Sequence, residues 1–227
     1  MSVARRSLRL AHRGDWRAAP ENTLDAMLAA LAIANCDGLE FDVRGSRDGV
    51  PVLLHDASLA RVQGEHVSVE ALTAERLADY RIPALADVLA AIGPSPFLDV
   101  ELKGEPVPAV VDVLEAARGS LVSGELARAV VSSFEPDTLA WLGDRRPGWA
   151  RWLNAMDLSP TTVALASALG CAGIAAEWRA IDPAAAGRAR SAGLQIAAWT
   201  VRRRPTVERL ERLGVMAVCV EAAALDG

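Results

Sequence analysis

The sequence predicts an α/β protein of the (β/α)8 TIM-barrel class, and three observations support this. Eight short apolar runs alternate along the chain with segments of helical periodicity. Strands that alternate with helices form parallel sheets, and eight such units close into a barrel. The 227 residues are slightly fewer than the roughly 250 usual for this fold. We therefore expect a lean barrel whose strands are the eight runs.

The predicted strands are apolar runs bounded by turn residues. In chain order they are Leu8–His12, Gly38–Val43, Phe97–Lys103, Ala129–Phe134, Ala150–Ala155, Gly173–Trp178, Gln195–Val201 and Ala217–Glu221. Helices between them are expected to begin at capping residues or at a proline and to end at glycine. The predicted starts are Asn22-Thr23, Ile82-Pro83, Glu135-Pro136, Ser159-Pro160 and Asp182-Pro183, and the predicted stops are Gly170, Gly193 and Gly214.

One segment interrupts the alternation after the second predicted strand. Residues 45–82 contain no clear strand-helix unit, although Val50–His55 has the pattern of a ninth strand. Asp48-Gly49 is a hairpin-turn signal directly before it. We expect residues 45–82 to form a short excursion, with Val50–His55 outside the barrel. No linker or low-complexity run divides the chain, so residues 1–227 are predicted to form one domain.

Composition and charge argue against several classes of protein. The net charge of −5 and the pI of about 5.3 argue against nucleic-acid binding, which requires a basic surface. The longest apolar stretch, residues 26–34, is too short to span a bilayer, and no secretory signal is recognisable. Cys36, Cys171 and Cys219 have neither metal-ligand spacing nor a disulfide pattern. We expect a cytoplasmic protein, and its oligomeric state is left open.

Carboxylates stand near the carboxyl ends of neighbouring predicted strands, where TIM barrels place their active sites. Glu40 and Asp42 are two residues apart on the second strand and so face the same side, and Glu101 lies on the next barrel strand. Three carboxylates form an all-oxygen ligand set that suits a hard divalent cation, Mg²⁺ or Ca²⁺, better than zinc. The sequence therefore predicts a metal site at this end of the barrel.

Two of the three histidines flank this cluster. His12 ends the first strand and His55 ends the excursion strand, so the pair can supply a general base and a general acid. Arg13 follows His12, and Lys103, the only lysine among 24 basic residues, lies two residues after Glu101. Both cations can bind a phosphate-like anion. Together these groups indicate phosphoryl transfer or phosphodiester cleavage.

Motifs along nearly the whole chain resemble those of the glycerophosphodiester phosphodiesterase family. They are Leu10-Ala11-His12-Arg13-Gly14, Pro20-Glu21-Asn22-Thr23, Glu40-Phe41-Asp42-Val43, residues 48–56 (DGVPVLLHD), Glu101-Leu102-Lys103, Ser133-Phe134 and Trp199-Thr200-Val201. The first four together are highly specific. The resemblance implies a barrel enzyme that hydrolyses glycerophosphodiesters to glycerol 3-phosphate and an alcohol, which is a reaction of lipid metabolism.

The resemblance also implies roles for individual residues. Glu40, Asp42 and Glu101 match the residues that hold the family's divalent metal. His12 and His55 match its general base and its general acid. In the family mechanism, a neighbouring hydroxyl of the substrate acts as the nucleophile and a cyclic phosphate forms, so no activated serine or cysteine is needed.

Further matches concern the substrate. Arg13 and Lys103 match residues that contact the phosphate, while Trp199 and Phe134 are expected beside the glycerol or the alcohol. Trp199 can equally be a packing aromatic at the top of the barrel. The supporting residues expected around this site are Glu21 and Asn22.

The sequence departs from the family pattern in four ways. Val220-Glu221-Ala222-Ala223 stands where the family usually closes its last strand with Thr-Asp-x-Pro. Arg202 stands where an asparagine often follows Trp-Thr-Val, and residues 61–64 replace a run with consecutive threonines before a glycine. Only 27 residues separate His55 from Pro83, so the excursion is short. These departures spare the catalytic set and affect the choice of leaving group.

Three alternatives remain open on the sequence alone. A lysophospholipase D-type phosphodiesterase on the same barrel would need an exposed apolar lip for an acyl chain. A non-catalytic barrel that binds phosphorylated ligands would account for the altered end of the last strand. A Schiff-base aldolase would use Lys103 as its nucleophile, but the neighbouring carboxylates argue against it. The leading expectation is a small glycerophosphodiester substrate, and the sequence does not specify the alcohol released.

Overall fold

The structure, a computed structural model, describes residues 6–120 and 123–226, and its strands close into a barrel. The strands are β1 (Leu8–His12), β2 (Gly38–Gly45), β3 (Pro51–Leu53), β4 (Phe97–Leu102), β5 (Ala129–Ser133), β6 (Arg151–Ala155), β7 (Gly173–Glu177), β8 (Gln195–Val201) and β9 (Ala217–Val220). All except β3 are parallel to their neighbours, and β1 pairs with both β2 and β9. The predicted (β/α)8 class is confirmed.

Helices connect the strands around the barrel. They are α1 (Leu24–Leu31), α2 (Ala60–Gln63), α3 (Ala74–Ala78), α4 (Leu85–Ile92), α5 (Ala109–Arg118), α6 (Pro136–Arg145), α7 (Pro160–Ala168), α8 (Pro183–Ser191), α9 (Arg204–Arg212) and α10 (Ala223–Asp226), with 3-10 turns at Val69–Ala71 and Trp178–Ala180. Across the two described ranges, no helix has both the length and the apolar character needed to cross a bilayer. The cytoplasmic location stays a prediction.

Most predicted helix starts have the expected cap geometry. The side chains of Thr23, Ser159 and Asp182 each accept a backbone N–H from the first turn of the helix that follows. Two of the predicted caps are wrong. The Glu135 side chain makes no cap hydrogen bond, and the side chain of Asn22 turns away from α1 into the barrel end. Both side chains have other polar partners, and local sequence does not reveal that competition.

The predicted helix stops are confirmed. Gly170, Gly193 and Gly214 have φ values of +65°, +77° and +73°, in the left-handed region that glycine enters most easily. Each lies directly after the residue that caps the carboxyl end of its helix. The positive φ turns the chain back toward the next strand.

The barrel interior is filled by side chains below the carboxyl end of the strands. Trp152 is fully buried there and stacks on Phe97, with 6.2 Å between the ring centroids. Leu10 of β1 and Val130 of β5 belong to the same cluster. Burying one large aromatic side chain contributes about 4–6 kcal/mol at the usual value per unit area. This apolar floor supports the polar groups that lie above it.

The predicted excursion is confirmed as a unit outside the barrel. β3 pairs antiparallel with the end of β2, after a turn in which the Gly49 N–H donates to the Ser46 carbonyl. It is shorter than the predicted Val50–His55, so His55 lies in the turn that follows. The excursion has a small core of its own, formed by Val52, Leu54, Leu59, Val69, Leu77 and Ile82. This core holds His55 over the end of β2.

Four other predicted strands end one residue early. The residues that stand just beyond the ends of β4, β5, β7 and β9 are Lys103, Phe134, Trp178 and Glu221. These side chains are therefore carried by the loops at the carboxyl end of the barrel. Loops at this end are where barrel enzymes place their reactive groups.

Candidate active site

A cavity of about 190 Å³ opens at the carboxyl end of the barrel. Its lining consists of His12, Arg13, Glu40, His55, Asp99, Glu101, Lys103, Phe134, Asn154, Trp199, Thr200 and Cys219. Three predicted site residues, Asp42, Glu21 and Asn22, lie outside this lining and contact residues that belong to it. The structure thus brings the predicted residues to one place.

β2 and β4 bring three carboxylates together. Their register pairs Asp42 with Glu101, and ligand oxygens of Glu40, Asp42 and Glu101 all lie within 4.8 Å of one another. All three side chains are buried, and neither oxygen of Glu40 receives a hydrogen bond from any residue that the structure describes. Burying a carboxylate without partners is unfavourable unless a cation compensates it or a proton neutralises it. The donor set fits a hard divalent cation.

Two of the three carboxyl groups have raised pKa values, and the third has a lowered one. Burial, reinforced by the charges of Asp42 and Glu101, raises the pKa of Glu40 well above its usual value. Burial, again with the charge of Asp42, raises the pKa of Glu101 to about 7. Burial also opposes ionisation of Asp42, but Arg13 and Lys103 outweigh it and leave its pKa below the usual value. Asp42 is therefore the carboxyl group of the cluster that ionises most readily.

Two cations border the cluster. The Arg13 Nε lies 2.9 Å from Asp42 Oδ2, and its Nη1 donates to Glu21 Oε1 at 2.9 Å. The Lys103 Nζ lies 2.5 Å from Glu101 Oε1 and 3.3 Å from Asp42 Oδ1. Both basic side chains are mostly buried, and both reach the cavity. Positive charge is therefore held at the cavity, directly beside the carboxylates.

The predicted supporting residues act behind the cavity. Asn22 donates from Nδ2 to Asp42 Oδ2 at 2.8 Å and accepts the backbone N–H of Asp42 at its own Oδ1. Its φ of +57° aims the side chain inward. Glu21 accepts hydrogen bonds from Arg13 and from Arg61. These contacts fix the Asp42 carboxylate and the Arg13 guanidinium relative to each other.

His12 lies between two carboxylates. Its Nδ1 is 2.5 Å from Glu221 Oε1, and its Nε2 is 3.8 Å from Glu40 Oε2. The other oxygen of Glu221 accepts a hydrogen bond from Arg202 Nε at 2.7 Å. The sequence prediction treated Glu221 only as a departure from the family pattern. Its position two residues after the inward-facing Cys219 is the signal that would have placed it inside the barrel.

His55 is held in a similar way. Its Nδ1 lies 2.6 Å from Asp56 Oδ1, and Asp56 Oδ2 accepts from Arg61 Nε at 2.6 Å. The backbone carbonyl of His55 accepts a hydrogen bond from Arg44. Burial lowers the pKa of His55 below its ordinary value despite the nearby Asp42 and Asp56. The ring nitrogen left for a substrate is Nε2.

Aromatic side chains form part of the cavity wall. The rings of Phe134 and Trp199 meet edge to face, with centroids 5.5 Å apart. Trp199 Nε1 donates to the carbonyl of Ala175, so the indole has both a packing role and a face on the cavity. Phe134 is 39% exposed, and Met156, after the neighbouring strand, is 64% exposed. Phe134 thus contributes an exposed apolar side chain to the cavity lining.

The cavity lining also includes Asp99 and Asn154, two polar side chains that the sequence prediction did not assign to the site. Asp99 lies one pleat below Glu101 and accepts a hydrogen bond from Ser132 at 2.6 Å. Asn154 donates in turn to Ser132. Burial raises the pKa of Asp99 to about 7. Burial also raises the pKa of the Cys219 thiol well above its usual value, so this cysteine is a poor nucleophile.

The family comparison agrees with this geometry. The model of the glycerophosphoryl diester phosphodiesterase family matches residues 12–225. The chain belongs to this family. It is 28% identical to the glycerophosphodiester phosphodiesterase of Caldanaerobacter subterraneus subsp. tengcongensis, covering 92% of each chain. It is 30% identical to the probable glycerophosphodiester phosphodiesterase 2 of Mycobacterium tuberculosis, covering 95% of this chain and 88% of the relative. Membership in this phosphodiesterase family makes the protein a phosphoric diester hydrolase.

Solved structures of family members share the fold. An Oleispira antarctica phosphodiesterase, in complex with its product sn-glycerol-3-phosphate, superposes with a TM-score of 0.82 at 25% identity, covering 94% of this chain and 92% of that one. The glycerophosphodiester phosphodiesterase of Thermotoga maritima gives a TM-score of 0.80 at 24% identity, covering 98% and 96%. The chain therefore spans nearly the full length of these family members.

Proposed function

We propose that this family member hydrolyses glycerophosphodiesters to glycerol 3-phosphate and an alcohol, with a divalent cation and two catalytic histidines. The observation that carries the proposal is the placement of His12 and His55 on one cavity with the buried carboxylate cluster. The Oleispira phosphodiesterase, which was solved with sn-glycerol-3-phosphate as its product, supports this substrate class. We propose further that residues 1–227 act as one catalytic domain.

The divalent cation would be held by Glu40, Asp42 and Glu101. All three ligands are carboxylates, which favours Mg²⁺ or Ca²⁺ over softer metals. When bound, the ion would neutralise phosphate charge and polarise the phosphoryl group. Arg13 and Lys103 would bind the remaining phosphate oxygens as charged donors.

The two histidines would divide the proton transfers. With its Nδ1–H donated to Glu221, His12 would accept at Nε2 the proton of the hydroxyl next to the phosphoester. That hydroxyl attacks phosphorus, and a cyclic phosphate forms as the alcohol departs. His55, protonated at Nε2, would deliver a proton to the leaving oxygen. Its lowered pKa makes the imidazolium a stronger acid. Water then opens the cyclic phosphate with the proton transfers reversed.

The test is a metal and substrate panel with glycerol 3-phosphate as the readout. Glycerophosphocholine and glycerophosphoethanolamine should be cleaved only when a divalent cation is present. His12→Ala and His55→Ala should each lose most of the turnover, because each removes a proton-transfer group. His66→Ala is the matched control, since His66 is exposed in the excursion. Full activity in excess EDTA, or in His12→Ala, would refute the proposal.

A lysophospholipase D-type activity is the second candidate. It is favoured by two exposed apolar side chains that could contact an acyl chain: Phe134, which lines the cavity, and Met156, which lies two residues after the cavity-lining Asn154. Release of choline from lysophosphatidylcholine should then exceed release from glycerophosphocholine. Met156→Glu should lower only the first reaction. Equal loss of both reactions, or no cleavage of the lysolipid, would exclude this candidate.

A further inference from the structure

A carboxylate and an arginine stand in line behind His12, outside the set of groups that would touch the substrate. Glu221 Oε1 is 2.5 Å from His12 Nδ1, and Glu221 Oε2 accepts from Arg202 Nε at 2.7 Å. The Glu221 side chain is only 8% exposed, whereas that of Arg202 is 69% exposed. Both oxygens of the carboxylate therefore have partners, one facing the site and one facing solvent.

We propose that Glu221 and Arg202 are a positioning pair for His12, in which Glu221 selects the ring orientation and the tautomer and Arg202 fixes Glu221. The inference rests on the proposed role of His12 as the base. Neither residue is expected to touch the substrate. Glu221 acts through the imidazole, and Arg202 acts through Glu221.

The need for such a pair follows from the position of His12 between two carboxylates. A neutral imidazole has one N–H, and the nitrogen that makes the stronger hydrogen bond keeps it. Glu40 Oε2 lies 3.8 Å from Nε2, which is beyond hydrogen-bond distance, so this carboxyl does not hold a proton on Nε2. Glu221 Oε1 lies 2.5 Å from Nδ1 and is the hydrogen-bond acceptor that favours the proton on Nδ1, which leaves the Nε2 lone pair free for a base. Donation of the second ring N–H to a carboxylate is the usual way in which proteins fix a functional histidine.

Arg202 is needed because a glutamate side chain is flexible. The backbone register pairs Val201 with Val220, so the next residues, Arg202 and Glu221, are neighbours at the ends of β8 and β9. The guanidinium holds the outer oxygen and leaves the inner one aimed at the imidazole. Burial opposes ionisation of Glu221, but His12 and Arg202 outweigh it and lower its pKa to about 2, so the carboxylate stays charged. Two of the departures from the family pattern thus form a single contact.

The tautomer can be measured directly because the chain has only three histidines. Two-bond ¹H–¹⁵N spectra at about pH 8, where imidazole side chains are ordinarily neutral, distinguish the two tautomers. We expect His12 to carry its proton on Nδ1 in the wild-type protein and to shift toward the Nε2–H form in Glu221→Ala. Should that variant fail to fold, Glu221→Leu fills much of the same volume, cannot accept a hydrogen bond, and is read in the same way. An unchanged tautomer in the folded variant would overturn the proposal.

A mutant cycle tests whether Arg202 acts through Glu221. Glu221→Ala should lower kcat about 10- to 100-fold, as loss of an orienting partner of this kind does, and should leave KM unchanged. Arg202→Asn should lower kcat by a smaller factor, and combined with Glu221→Ala it should add no further loss. Arg179→Asn is the matched control, since Arg179 is also exposed and pairs with the strand-end Glu177.

Three kinetic results would overturn the positioning role. The first is that the losses of kcat in Glu221→Ala and Arg202→Asn multiply in the double variant. The second is that KM rises while kcat stays unchanged. The third is that Arg179→Asn loses as much kcat as Arg202→Asn. The first two would assign Arg202 to direct contact with the substrate. If the wild-type protein cleaves no glycerophosphodiester, the proposed function fails, while the tautomer measurement still decides whether Glu221 orients His12.

Discussion

Lys103→Arg keeps the charge at the site and changes its shape, so it tests whether a compact ammonium is required. The Lys103 Nζ lies 2.5 Å from Glu101 and 3.3 Å from Asp42, and the side chain is only 12% exposed. A planar guanidinium spreads its charge over three nitrogens and needs room for all of them. In this confined position we expect the centre of charge to retreat by about 2 Å, roughly the difference in size between the two head groups.

The distance to Asp42 gives a scale for the energetic effect. Two unit charges 3.3 Å apart attract by about 5 kcal/mol at an effective dielectric constant of about 20, and by about 3 kcal/mol after a retreat of about 2 Å. The same retreat from a phosphate oxygen at a comparable distance would remove about 2 kcal/mol of transition-state stabilisation. That corresponds to a loss of about 30-fold in kcat/KM. Lys103→Met, which lacks the charge, should lose more.

The assay is the initial rate of glycerol 3-phosphate release at a saturating concentration of divalent cation. The thermal unfolding temperature of each variant shows whether a loss of activity comes from the site or from a destabilised fold. Arg76→Lys is a suitable control, because Arg76 forms an exposed ion pair with Asp79 on the surface of the excursion. Turnover of Lys103→Arg within about twofold of the wild type would refute the argument that the shape of this cation matters.

Three further predictions concern the metal site and the floor beneath it. The affinity for a divalent metal should weaken as the pH falls below about 7, because protons then compete with the metal for Glu101 and Glu40, whose pKa values are raised. Titration calorimetry that finds no proton release on metal binding near neutral pH would contradict this. Asn22→Gly tolerates the positive φ but removes the amide donor to buried Asp42, and should lower the free energy of unfolding by about 1–3 kcal/mol in urea titrations. Trp152→Ala should lower it by about 3–5 kcal/mol and spare metal affinity, and an unchanged urea midpoint would show that the floor is not needed.

The barrel and the predicted site residues could be found from the sequence because each depends on local pattern. Alternation along β2 and β4 placed Glu40, Asp42 and Glu101 on one face, and the barrel register brings them together. The end of β3 could not be predicted from local pattern, because β3 pairs with only one strand and side-chain packing sets where it ends. His55 therefore lies in a turn and not on the strand.

The contacts between side chains of distant segments could not be predicted in the same way. His12 and Glu221 are 209 residues apart and meet only because β1 and β9 close the barrel. The Arg61 contact to Glu21 depends on how the excursion folds back over the first loop. No local pattern contains this information, although strand alternation does show which side chains point inward.

The closure of the barrel by β1 and β9 has a consequence for synthesis of the protein. Glu221 is added by the ribosome 209 residues after His12, when every residue that lines the cavity has already been made. A nascent chain that ends before β9 would contain both histidines and all three carboxylates, yet its first strand would lack a neighbour on one side. His12 and Glu221 would then meet only when the final strand inserts beside the first.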